Sequence, residues 1–108
     1  MYDNNIELTK YIGTELYSSP EQLEGESYNH KSDLFSLGII FFELCTLFDN
    51  HTDRRKKIKK LKEGKLNMKS VNINRSDSTI IKKLIHKNPQ ERLSLSKLIN
   101  WIEKKLDK

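Results

Sequence analysis

The residue types that do chemistry are few in this chain and poorly grouped. His30, His51 and His86 share no ligand spacing and have no cysteine pair nearby. A zinc-type site needs several N or S donors close in sequence or space, so no metal site is expected. Cys45 is the single cysteine and lies in an apolar run, where it reads as an inert buried thiol. The four glycines, Gly13, Gly25, Gly38 and Gly64, form no G-x-G-x-x-G phosphate cradle. Arg54 to Lys62 (RRKKIKKLK) is densely basic, and such runs attract nucleic-acid phosphates. Here Ile58 and Leu61 fall at amphipathic spacing and no aromatic residue interleaves. The run therefore reads as the solvated face of a helix, with no nucleic acid bound. Read alone, Thr9 belongs to a polar tail, Thr14 to a polar loop, and Asp33 to a helix N-cap.

These residues are positioned by a helical chain. The 108 residues are 35% apolar and 32% charged, with a net charge of +5, enough for one small domain or a piece of a larger one. Ser19-Pro20-Glu21-Gln22 predicts a helix start: a serine cap, a proline at the first position and a glutamine to complete a capping box. That short helix fills 19–25 and stops at Gly25. The strongest element, 31–48, is capped by Ser32 or Asp33. Leu34, Leu37, Phe41, Leu44 and Phe48 recur at helical spacing, and Phe35, Ile39, Ile40 and Phe42 fill the other faces. A helix apolar nearly all round is a central, buried one. It needs more protein around it than 108 residues supply. Leu34 to Phe48 contains Glu43 and is shorter than the roughly 20 residues of a membrane span, so no membrane is expected.

The remainder, 53–108, reads as a helical subdomain. Arg54 to Lys62 is helical and stops at Gly64. Lys65 to Arg75 is irregular. Ser76 caps a helix with Ile81, Leu84 and Ile85 on its apolar face, and Asn88-Pro89 breaks it. Ser94 caps the last helix, whose stripe is Leu95, Leu98, Ile99, Ile102 and Leu106. No convincing strand appears. With one cysteine no intrachain disulfide forms, and Met1 to Lys10 is polar rather than signal-like. Both point to a reducing, cytoplasmic setting.

Three motifs, in order, resemble a protein kinase catalytic domain. Gly13-Thr14-Glu15-Leu16-Tyr17-Ser18-Ser19-Pro20-Glu21 resembles the end of an activation segment, with Ser19-Pro20-Glu21 at the A-P-E position. Lys31-Ser32-Asp33-Leu34-Phe35-Ser36-Leu37-Gly38 resembles the start of the central helix of the C-terminal lobe. Asn88-Pro89-Gln90-Glu91-Arg92 resembles the loop before the last kinase helix. The resemblance covers about residues 6 to 106 and implies a mainly α fold: the activation-segment end (1–18) and the helices that follow it in the C-lobe. It implies that Glu21 and Arg92 form a buried ion pair tying that segment to the lobe, and that Asp33 anchors the catalytic loop. Gly13, Thr14 and Tyr17 fall in the substrate-docking part of the segment; Thr14 stands where a hydroxyl contacts the catalytic aspartate and lysine and argues for serine/threonine specificity, and Arg54 to Lys62 falls on a helix that helps dock protein substrates in this family. Among kinases, 13–22 most resembles those of translation initiation factor 2, alpha subunit. Thr9, five residues before Thr14, then stands where those enzymes often carry a regulatory phosphothreonine.

The resemblance further implies a reaction using ATP and Mg2+ on a protein substrate. The Gly-rich loop, the strand lysine, the H-R-D segment and the D-F-G segment of that chemistry are absent from the sequence. The expectation is that this chain alone binds neither cofactor and is inactive, working with the N-lobe and catalytic loop of a parent kinase. The alternative is a non-catalytic helical interaction module derived from one.

Overall fold

The structure is a computed structural model that describes residues 15–26 and 29–107. It is mainly helical, with no strand among the described residues. A helical turn at 15–17 leads into α1 (Pro20–Leu23). The capping box forms as its residue pattern predicts: the Ser19 hydroxyl accepts from the Gln22 backbone, and the Gln22 side chain accepts from Ser19 N at 2.9 Å. Gly25 follows at φ +81, a left-handed conformation that costs a glycine nothing sterically.

The central helix α2 spans His30–Cys45. Asn29 caps it, accepting from Lys31 N and Ser32 N, so the start precedes both predicted caps. At the other end Thr46 Oγ donates to Phe42 O at 2.8 Å, and the helix stops short of Leu47. Next come α3 (His51–Lys62), a 3-10 turn (Met68–Val71), α4 (Arg75–Leu84), a second 3-10 turn (Pro89–Glu91) and α5 (Leu95–Leu106). Asn50 caps α3, which therefore starts at His51, ahead of the Arg54 at which the sequence pattern begins it. Asn74, not Ser76, caps α4. Asn67 and Asn88 cap the two 3-10 turns. Asparagine is as good an N-cap as serine or aspartate, and here it is the residue that begins five of these elements. Ser94 caps α5 as predicted.

Two apolar clusters flank α2. One joins Phe35, Ile39 and Phe42 to Ile58 and Leu61 of α3, with Met68, Ile73 and Ile81. The other joins Leu34 to Ile80, Leu84 and Leu98. The remaining face of α2 carries Leu37, Ile40 and Leu44 into solvent, Leu44 at 81% exposure. The predicted stripe of α5 is buried at Leu98 alone; Ile99 and Ile102 are exposed. That helix instead docks through Leu98 and Trp101, whose ring meets Phe41 edge-on at 5.8 Å. α2 and α4 cross at Gly38, where a Cβ would stand 2.7 Å from Ile85 Cγ2 and 2.8 Å from Leu84 Cβ.

That crossing generates a prediction. Alanine is the better helix former by about 1 kcal/mol, yet overpacking a tight contact costs roughly 1–3 kcal/mol. Gly38→Ala should therefore lower stability by about 1 kcal/mol in urea titration. An increase would show that the helices do not approach so closely.

Candidate functional site

The segment ending in α1 is fastened to the rest of the molecule at two places. The first is built on Glu21, which is 6% exposed. Arg92 reaches it from the turn that Asn88 and Pro89 form. Arg92 Nη1 donates to Glu21 Oε2 at 2.8 Å, and Nη2 donates to Oε1 at 2.9 Å. Ser32 Oγ donates to Oε2 at 3.0 Å, which is why Ser32 faces inward rather than capping α2. The other guanidinium N–H groups go to carbonyls: Nη1 to Lys31, Nη2 to Lys87 and Nε to His86. A guanidinium has five donors, and each one here has an acceptor. The Phe35 ring lies 5.1 Å from the guanidinium carbon. Hydrogen bonding from Arg92 outweighs burial and, with the Glu21 backbone N–H and Ser32, holds the Glu21 carboxyl at a pKa of about 2.

The second fastening is built on Tyr17. Its carbonyl accepts from Ser36 Oγ at 2.8 Å, and its hydroxyl accepts from Arg54 Nη2. Arg54 Nε also donates to Glu43 Oε2 at 2.5 Å. Burial first, then Glu43, pushes the Tyr17 phenol above its usual range. Lys62 Nζ donates to the carbonyls of Glu15 and Leu16, each at 3.2 Å. Burial lowers the Lys62 pKa. Sequence reasoning missed Ser32, Ser36, Glu43, Arg54 and Lys62 in these roles. One signal was available: Glu43 interrupts an apolar run, and a carboxylate there needs a cation.

Asp33 lies exposed in the first turn of α2, and the capping role belongs to Asn29. A carboxylate in a first turn is favoured by the helix dipole. Thr9, Gly13 and Thr14 lie outside the described residues. Cys45 is half-buried, and burial raises its thiol pKa, which disfavours a nucleophilic thiolate. Among the described residues no group of His, Cys, Asp and Glu is placed to hold a metal ion. No helix among them is long and apolar enough to cross a membrane.

Removing Arg92 would leave Glu21 buried with Ser32 and backbone alone. Arg92→Ala should destabilise by roughly 3–5 kcal/mol, whereas Lys97→Ala, on an exposed face of α5, should cost under about 0.5 kcal/mol. The pair also sets an acid limit. A depressed carboxylate stabilises the fold above its unfolded pKa near 4.5, and that contribution is lost as pH falls toward about 2. Thermal melts from pH 6 to 2 should show a drop that Glu21→Gln flattens. Equal melting temperatures for the two alanine variants would remove Arg92 from this role.

The comparisons with known proteins agree on one family. The family model described as "Protein kinase domain" matches residues 1–102. The probable serine/threonine-protein kinase ifkB of Dictyostelium discoideum is 34% identical over 100 residues, which is 90% of this chain and 7% of that protein. Eukaryotic translation initiation factor 2-alpha kinase 2 of Schizosaccharomyces pombe is 35% identical over 97 residues, covering 85% of this chain and 15% of the relative. Eukaryotic translation initiation factor 2-alpha kinase 3 of Bos taurus is 54% identical over 46 residues, 43% of this chain and 4% of the relative. The chain thus spans a small part of each relative's length. Its helical architecture is that of the C-terminal lobe of a kinase domain, and the chain belongs to the protein kinase family.

Proposed function

We propose that this chain serves in a serine/threonine kinase of the initiation factor 2 alpha type, as the part of the catalytic domain that receives the protein substrate. The observation that carries this reading is the two-point grip of Arg92 on Glu21. It joins Ser19-Pro20-Glu21 to the Asn88–Arg92 turn, two of the three motifs with the family resemblance. In this reading Gly13, Thr14 and Tyr17 help dock the substrate, and the Thr14 hydroxyl contacts the catalytic aspartate and lysine of the parent kinase. Asp33, exposed at the start of α2, steadies the catalytic loop, and phosphorylated Thr9 orders the segment. The working location is the cytoplasm, and the substrate is a protein serine, with the alpha subunit of initiation factor 2 as first choice.

The parent reaction moves the γ-phosphoryl group of ATP to that hydroxyl, with Mg2+ balancing the charge. The described residues offer no Gly-rich cradle and no grouped carboxylates to hold these cofactors. No step through ATP or Mg2+ is therefore assigned to them. Their part is to fix the backbone before α1, through Tyr17, Ser36 and Lys62, so that a substrate meets a rigid surface. The second reading is a non-catalytic helical interaction module derived from a kinase.

Phosphoryl transfer from labelled ATP to the alpha subunit of initiation factor 2, assayed with the intact protein that contains this chain, separates the two: transfer supports the kinase reading and its absence the module. The 108-residue chain alone should show no transfer above a mock preparation. In the kinase that contains it, Thr9→Ala should lower activity while shifting stability by under about 0.5 kcal/mol. Thr14→Ala should abolish activity even with Thr9 phosphorylated. Full activity of Thr9→Ala would remove the regulatory role. Transfer by the isolated chain would overturn the division of labour.

A further inference from the structure

Lys62, the last residue of α3, turns its amine back across the molecule. Nζ donates to the carbonyls of Glu15 and Leu16, each at 3.2 Å. It stands 5.7 Å from the centre of the Phe35 ring, which is 1% exposed. The same ring carries the Arg92 guanidinium at 5.1 Å, and that charge is permanent at any ordinary pH. Though half-buried, Lys62 lines an open groove of about 780 Å³. Arg55, Lys56, Lys59 and Lys87 line the groove with it, and two carboxylates, Glu15 and Glu63, offset them in part.

We infer that Lys62 is a covalent modification site: a nucleophilic amine that takes an acyl group from an acyl phosphate, an anionic donor that enters this groove. A lysine becomes nucleophilic where burial and neighbouring cations disfavour its ammonium form. Both conditions hold at Lys62. Burial lowers its pKa, and the opposing pull of the Glu15 carboxylate is the smaller effect. Losing the proton costs the fold no hydrogen bond, because a neutral amine keeps two N–H groups and there are two carbonyls to serve. The lone pair then occupies the remaining position on nitrogen. The groove cations suit the donor, since they hold its phosphate and stabilise it as a leaving group. In the transfer the Lys62 nitrogen attacks the acyl carbon. A new C–N bond replaces the C–O bond to phosphate. Inorganic phosphate departs with that electron pair, and the extra proton on nitrogen passes to water. The product amide is uncharged and has one N–H for two carbonyls, so one hold on the backbone at 15 and 16 is lost. The inference does not depend on the substrate proposed above.

Acetyl phosphate incubated with the 108-residue chain, followed over time by peptide mass spectrometry, tests it. Lys62 should be acetylated about fivefold or more faster than Lys60, Lys82 and Lys83, which are exposed. That lead should shrink as pH rises toward the usual lysine range, where the exposed amines also lose their protons. In urea that unfolds the chain, all four should react within about twofold of one another, because the folded surroundings are gone. Lys56→Glu/Lys59→Glu, its helix content checked by circular dichroism, should slow Lys62 about threefold or more and leave Lys82 and Lys83 unchanged. If Lys62 reacts no faster than the exposed lysines of the folded chain, the site is wrong. A lead that survives urea belongs to the local sequence and overturns it equally. An unchanged rate at Lys62 in the double variant would overturn the capture of the donor by the groove. The assay uses no ATP, so its failure and a failed transfer assay are separate results.

Discussion

A carboxylate taken out of water must be matched, and Glu21 is matched by three side-chain hydrogen bonds. Its partners come from far apart in sequence: Ser32 at the start of α2 and Arg92 just before α5. The guanidinium then ties its remaining donors to the carbonyls of Lys31, His86 and Lys87. One side chain thus fixes the positions of α1, the first turn of α2 and the Asn88–Arg92 turn together. Burying a charge pair costs desolvation that the attraction between the pair only partly returns. Such a pair specifies an arrangement more than it adds stability. Here what it specifies is where the backbone around Ser19-Pro20-Glu21 lies.

The remaining packing follows from that placement. With α1 anchored at Glu21, Tyr17 falls over α2 and α3, where Ser36, Arg54 and Glu43 receive it. Lys62 then closes on the carbonyls at 15 and 16. The Phe35 ring links the two fastenings physically, with the Arg92 guanidinium at 5.1 Å and the Lys62 amine at 5.7 Å. Apolar packing beneath this layer, from Ile39, Phe42, Ile58 and Ile81, supplies the rigid floor. The upper face of α2 at Leu37, Ile40 and Leu44 has no such cover among the described residues.

How much of this was legible depended on the kind of signal. Periodicity located every long helix, because apolar spacing is a property of the segment itself. The capping box at Ser19 and the Ser94 cap were legible for the same local reason. Cap choice elsewhere differs: the sequence offers Ser32 or Asp33 for α2 and Ser76 for α4, yet Asn29, Asn50 and Asn74 begin α2, α3 and α4. The stripe of α5 was also misread, since periodicity gives a face and not its partner, and only Leu98 found one. The roles of Arg54 and Ser36 were invisible, because each depends on a contact across many residues that no local pattern encodes. Glu21 and Arg92 stood out only through family resemblance; their separation of 71 positions carries no spacing rule of its own.

The central claim is that Glu21 and Arg92 act as one unit that places the segment before α2. A double-mutant cycle of Glu21→Gln, Arg92→Met and the pair, read by urea denaturation, measures that unity directly. Each single variant strands the other side chain in a buried site, whereas the double variant strands neither. A coupling of about 2 kcal/mol or more is predicted, with the double variant no less stable than the worse single one. A coupling below about 0.5 kcal/mol, the level expected of independent sites, would contradict it.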